Sequence, residues 1–123
     1  MNRLKTRADF LRAQKGIRRV TPSLTLETCM SPTGEGGPAP SDMPRVGFTA
    51  SRKIGNAVAR NRAKRRLREA ARAVLPGSGR AAHDYVLVAR PGTLDRPFQS
   101  LIEDLASAVR AAHLKLDQTG EKA

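Results

Sequence analysis

Apolar residues recur along this chain at two periods, and the switch between periods marks out its elements. Thr6, with Asp9 three residues on, predicts a helix start, and Phe10, Leu11 and Leu4 give an apolar side to a short helix over 6–15 that stops at Gly16. After a basic turn from Ile17 to Pro22, Leu24, Leu26 and Met30 alternate with Ser23, Thr25, Glu27 and Cys29, predicting a strand with one buried face. Residues 31–44 are rich in Pro, Gly and Ser without any period and are expected to form a flexible loop. Val46, Phe48 and Ala50 then alternate with Gly47, Thr49 and Ser51 in a second strand. Asn56 is suited to cap a long helix whose apolar side is Ala59, Ala63, Leu67, Ala70 and Val74, ending by Leu75 ahead of Pro76-Gly77-Ser78-Gly79. Tyr85 to Ala89 read as a third, nearly continuous apolar strand. Phe98, Leu101, Ile102, Leu105, Val109, Ala112 and Leu116 predict a last helix over 97–116, followed by a disordered tail, 117–123.

The order helix, strand, strand, helix, strand, helix predicts an α/β (α+β) sandwich in which helices pack on a small mixed sheet. A chain of 123 residues is enough for one modest core, here a single domain over 1–116.

Charge changes the picture. Lys and Arg number 23 against 11 Asp and Glu, a formal net charge of +12. The excess concentrates in Arg52, Lys53, Arg60, Arg62, Lys64, Arg65, Arg66, Arg68 and Arg72, a stretch whose sole acid is Glu69. Arg60, Lys64, Arg68 and Arg72 form a ridge at i, i+4 that is expected to face outward, with Asn61 and Arg65 beside it. So dense a cluster calls for an anionic partner, nucleic acid ahead of an anionic membrane. The amino-terminal residues lack the apolar core of a signal peptide, and the longest apolar run, Tyr85 to Ala89, is far too short to span a bilayer. Cys29 is the single cysteine, which excludes an intrachain disulfide and fits a reducing cytoplasm.

The residues offer no self-sufficient catalytic centre. Acids are scattered, His83 and His113 have no Asp or Cys at ligand spacing, and Gly55 is an isolated turn glycine; catalytic and metal-ligating residues are therefore expected to be absent. Arginine supplies a planar fork matched to phosphate, and an amide such as Asn61 can bond sugar or base. These features favour RNA or DNA binding over a merely solvated basic face. They leave open an RNA-processing subunit, a ribosomal or other RNA-packing protein, and a duplex-DNA binder.

The stretch RVGFTASRKIGNAVARNRAKRRLREAAR closely resembles the signature of the bacterial ribonuclease P protein component, centred on Arg60-Asn61-Arg62. Arg45-Val46-Gly47-Phe48, Lys53-Ile54-Gly55-Asn56, Lys64-Arg65-Arg66, Arg3-Leu4-Lys5, Asp9-Phe10 and the strand at 84–90 also fit the family. The resemblance implies a ribosomal-protein-S5-domain-2-like fold with a left-handed βαβ crossover. It implies a partner of a catalytic RNA that, with Mg²⁺ held mainly by that RNA, removes the 5′ leader of precursor tRNA. Neither a membrane nor an obligate protein partner is implied. Carried over by position, Arg52, Lys53, Asn56, Arg60, Asn61, Arg62, Lys64, Arg65 and Arg68 would bind RNA, and Phe10, Arg7 and Thr49 would line a leader-binding cleft. Where the family commonly carries further aromatics, this chain has Gln14 and Glu27.

Overall fold

The computed structural model describes residues 2–31, 44–80 and 82–118; most of the expected loop, residues 32–43, and the last five residues of the expected tail lie outside them. In chain order the elements are β1 (Asn2–Arg3), α1 (Arg7–Gln14), β2 (Ile17–Val20), β3 (Leu24–Met30), β4 (Arg45–Thr49), a 3₁₀ turn (Arg52–Ile54), α2 (Ala57–Ser78), β5 (His83–Ala89), α3 (Pro91–Asp95) and α4 (Phe98–Gln118). The five strands form one mixed sheet in the order β1-β4-β5-β3-β2. β5 runs parallel to β4 and antiparallel to β3. The expected mixed sheet packed by helices is thus present.

Strand alternation distributes the core between two faces. Leu24, Leu26, Val46, Phe48, Tyr85 and Leu87 face α2 and α4, which contribute Ala63, Leu67, Ala70, Ala71, Leu101, Leu105 and Val109. On the opposite face a smaller cluster joins Leu4, Ala13 and Val86, with Phe10, Cys29 and Val88 packed against it. Both faces of β3 are therefore covered over part of its length, where one buried face was expected.

Several boundaries differ from the sequence reading. The basic segment expected as a turn pairs as β2 with β3, Ile17 opposite Thr28 and Val20 opposite Thr25. An edge strand needs only its backbone to pair, so Arg18 stays exposed in it. β1 and the five-residue α3 are too short to show a period. α2 continues past Leu75 through Pro76 to Ser78, closed by the Gly79 N–H bonding Leu75 O at 2.7 Å. Asp117 and Gln118, assigned to the tail, end α4, and Asp117 accepts two hydrogen bonds from Arg80, each 3.0 Å. Leu11, Met30 and Phe98, read as apolar-face residues, are exposed.

α1 docks through charge more than through oil. Its N-cap is Thr6, as predicted, but it buries Asp9 and Ala13. Arg45 places Nε and Nη2 on the two oxygens of Asp84, each at 2.8 Å, and Nη2 also reaches Asp9 at 3.1 Å. Arg12 bonds Asp9 at 2.9 Å, and the Ser31 hydroxyl donates to Asp84 at 2.6 Å. The Asp84 side chain is wholly buried, and the fork from Arg45 offsets the desolvation of its charge. Burial alone would raise Asp9, but Arg12, Thr6 and Arg45 outweigh it and hold its carboxyl below the ordinary value.

On the opposite face of the sheet, next to Asp84 in sequence, Tyr85 OH accepts the Arg80 N–H at 2.9 Å and shares a hydrogen bond with His113 Nε2 at 2.6 Å. Burial, with Arg80 and His83 nearby, pushes His113 from 6.5 down to about 4. The unfolded chain therefore takes up a proton at His113 before the folded chain does. This contribution to stability is full above pH 6.5 and lost as pH falls towards about 4. Asp9, depressed when folded, adds a further loss below the ordinary carboxylate range. Thermal melts from pH 7 downward should show Tm declining across both windows, and His113→Gln should remove the decline in the upper window only.

Candidate nucleic-acid interface

The candidate interface begins at the turn between β4 and α2. Ser51 Oγ accepts the Lys53 N–H at 3.3 Å, holding the 3₁₀ turn, and Gly55 follows at φ 145°, a conformation open to glycine and strained for other residues. Asn56 Oδ1 accepts the Ala59 N–H at 2.9 Å and so caps α2, as read from the sequence. Arg60 reaches back to the Gly55 carbonyl at 3.0 Å. Asn56 and part of Arg60 are thus engaged within the turn, while Arg52 and Lys53 are exposed.

Along α2 the cations, with Asn61, divide into three groups. Asn61, Arg62, Arg65 and Arg72 are exposed. Arg60, Lys64 and Arg68 are half-buried along the helix flank, a correction to the outward ridge expected of them. Burial of Ala71 and Leu75, in addition to Ala63, Leu67, Ala70 and Val74, draws the docked stripe towards that row. Arg66 turns inward, donating through Nε to Thr93 O at 2.7 Å and through Nη2 to Arg96 O, which ties α2 to α3. The one carboxylate of the segment, Glu69, accepts from Arg72 at 2.8 Å on the surface.

On the opposite face of the sheet, a Cβ at Gly47 would lie 2.6 Å from the Phe10 ring, so the missing side chain is what lets α1 lay Phe10 on β4. Phe10 is half-buried there. Thr49 follows Gly47 on the same face by alternation, and Arg7 lies one helical turn before Phe10, exposed. These residues share one side of the domain, away from α2.

Among the described residues no group of three or more His, Cys, Asp or Glu is placed to hold a metal ion. Burial, and then Asp84, push the Cys29 thiol up to about 11, leaving it protonated and a poor nucleophile at neutral pH.

The sequence matches the family model for ribonuclease P over residues 1–113. The chain belongs to the ribonuclease P protein family. It is 50% identical over 111 residues to the ribonuclease P protein component of Ruegeria pomeroyi, covering 89% of this chain and 85% of the relative. With that of Caulobacter vibrioides it shares 45% over 120 residues, 98% of this chain and 76% of the relative. Solved ribonuclease P proteins from Staphylococcus aureus and Thermotoga maritima superpose with TM-scores of 0.68 and 0.69 at 29% and 27% identity, over 91% and 89% of this chain and 95% and 97% of theirs. As a ribonuclease P protein, the chain is an RNA-binding subunit of a ribonucleoprotein endoribonuclease of tRNA processing, and its partner is an RNA subunit.

Adjacent arginines of α2 should separate cleanly in experiment. Arg66→Ala strands two carbonyls and should cost about 1.5–3 kcal/mol in denaturant titrations, with little change in the RNA affinity of the folded protein. Arg65→Ala should leave stability within about 0.5 kcal/mol and weaken RNA binding severalfold.

Proposed function

We propose that α2 and the turn before it hold the ribonuclease P RNA, while the sheet face beside α1 takes the single-stranded 5′ leader of precursor tRNA. The observation that carries the first half is the cationic surface of Arg52, Lys53, Asn61, Arg62, Arg65 and the Arg60-Lys64-Arg68 flank, in which Glu69 is the one acid. Arginine forks spaced along a helix match successive phosphates. Phe10, seated on Gly47 with its ring partly open, supports the second half. An unpaired base stacking there would have Arg7 for its phosphate and the Thr49 hydroxyl as a hydrogen-bonding group.

The chain's own donor set does not suit Mg²⁺, a hard ion that seeks carboxylate oxygen and would be repelled by this surface. We assign the metal, and with it the cleavage chemistry, to the RNA subunit. The protein's fixed arginines screen phosphate repulsion between RNA and substrate, replacing part of the free cation requirement. The work falls in the cytoplasm, where precursor tRNA is made.

Reconstitution tests the reading. Added to its ribonuclease P RNA, the protein should restore precursor-tRNA cleavage at low Mg²⁺. If about six phosphates are neutralised, protein–RNA affinity should fall roughly a thousandfold between about 50 and 200 mM salt. An affinity indifferent to salt, or an unchanged Mg²⁺ requirement, would sink the proposal.

Phe10 makes the leader half testable separately. Phe10→Ala should weaken holoenzyme binding of leader-bearing precursor about ten- to a hundredfold and leave mature tRNA binding nearly unchanged. Equal losses for both, with a lower Tm of the free protein, would confine Phe10 to packing.

A further inference from the structure

Between the amino-terminal strand and the basic helix lies a groove of about 260 Å³, lined by Arg3, Val46, Phe48, Arg68, Arg72 and Pro76. Its construction follows from the strand register. Arg3 is the pairing partner of Val46, so it lies on the helix-facing side with Val46 and Phe48, while Leu4 turns to the opposite face and is buried there. Arg68 and Arg72 stand one turn apart on α2 and come to the same groove. The guanidinium carbons of Arg3 and Arg68 lie 5.3 Å and 6.0 Å from the centre of the one Phe48 ring.

Three cations thus share an apolar floor, and among the described residues no carboxylate lines the groove. Glu69, which bonds Arg72 at 2.8 Å, is outside the lining. Mutual repulsion should splay such a cluster into water. The ring's negative face offsets part of that repulsion and holds two of the guanidiniums in place. Among the described residues Arg68 Nε is buried without a hydrogen-bond partner, a donor left unfilled at a half-buried side chain of this groove.

We infer that this groove is a preorganised phosphate site in which Arg3 and Arg68, seated on Phe48, and Arg72 at the rim clamp one backbone phosphate of the RNA subunit. The inference rests on the reading that α2 binds that RNA, and it adds Arg3, Arg72 and Phe48 to the interface. It also gives these arginines a different standing from Arg62 and Arg65. Those sweep through solvent and lose side-chain freedom on binding, whereas Arg3 and Arg68 are already held over the ring and lose less.

The test compares RNA affinity and its salt dependence for Arg3→Ala, Arg72→Ala, Phe48→Leu and, as reference, Arg62→Ala and Arg65→Ala. Each groove arginine variant should weaken ribonuclease P RNA binding about tenfold and lower the salt slope by about one unit. Phe48→Leu removes no charge, yet should weaken binding about fivefold. In the free protein, titration with inorganic phosphate followed by NMR should shift the Arg68 Nε–H resonance before that of Arg65. If Arg62→Ala and Arg65→Ala weaken binding while Arg3→Ala and Arg72→Ala do not, the phosphate site is overturned and the helix reading stands. If none of these variants changes affinity, the helix reading itself fails. Should Phe48→Leu melt below the working temperature, the two arginine variants and the phosphate titration decide the matter.

Discussion

The fold depends on the fork that Arg45 places across Asp84. These two residues face each other in register where β4 and β5 begin, so their pairing fastens together the two parallel strands that α2 connects. The same guanidinium reaches Asp9 and thereby holds α1. An Arg45 that lost these partners would leave a buried carboxylate uncompensated, and breaking a pair of this kind typically costs about 3–5 kcal/mol. Hydrophobic area could have supplied as much stability, but not the same register. A one-residue slip of β4 would part Arg45 from Asp84 and turn Gly47 away from Phe10.

A second constraint acts through the scarcity of acids. With 11 carboxylates against 23 Lys and Arg, placement of the acids decides where positive charge is left unbalanced. Asp9 and Asp84 serve the Arg45 network, Asp104 bonds Ser23 at 2.6 Å near Arg96, and Asp117 holds Arg80. Each stabilises the scaffold away from the outer face of α2. The outer face of α2 is electropositive because these acids are placed elsewhere, as much as because arginines are placed there.

Much of this was legible in the sequence, where local chemistry decides structure. Thr6 and Asn56 announced their caps, alternation marked β3 and β4, and helical spacing found α2 and α4. Elements whose stability is entirely tertiary left no such trace: β1 has two residues, and β2 is two arginines between two apolar residues, paired only because β3 presents an edge. Arg65 and Arg66 are indistinguishable in sequence, yet one is exposed and the other bonds two carbonyls of the α3 turn. That difference follows from where α3 lies, which no local pattern encodes. The Arg ridge was recognised but its direction was not, because Ala71 and Leu75 read as ordinary helix residues until the docked face was seen to include them.

The position of β5 has a consequence in time. It is the last strand to be synthesised and yet the middle one of the sheet, bonded to β3 across roughly sixty residues of intervening chain and to β4 across the whole of α2. Until Ala89 has left the ribosome, β4 and β3 have no neighbour to join them, and α2 has emerged as an arginine-rich segment with no sheet to dock on. Such non-local closure makes folding slow relative to the formation of its helices. During that interval the most cationic part of the chain is exposed in a compartment crowded with RNA, so charge and topology together make the nascent subunit adhesive before it is specific.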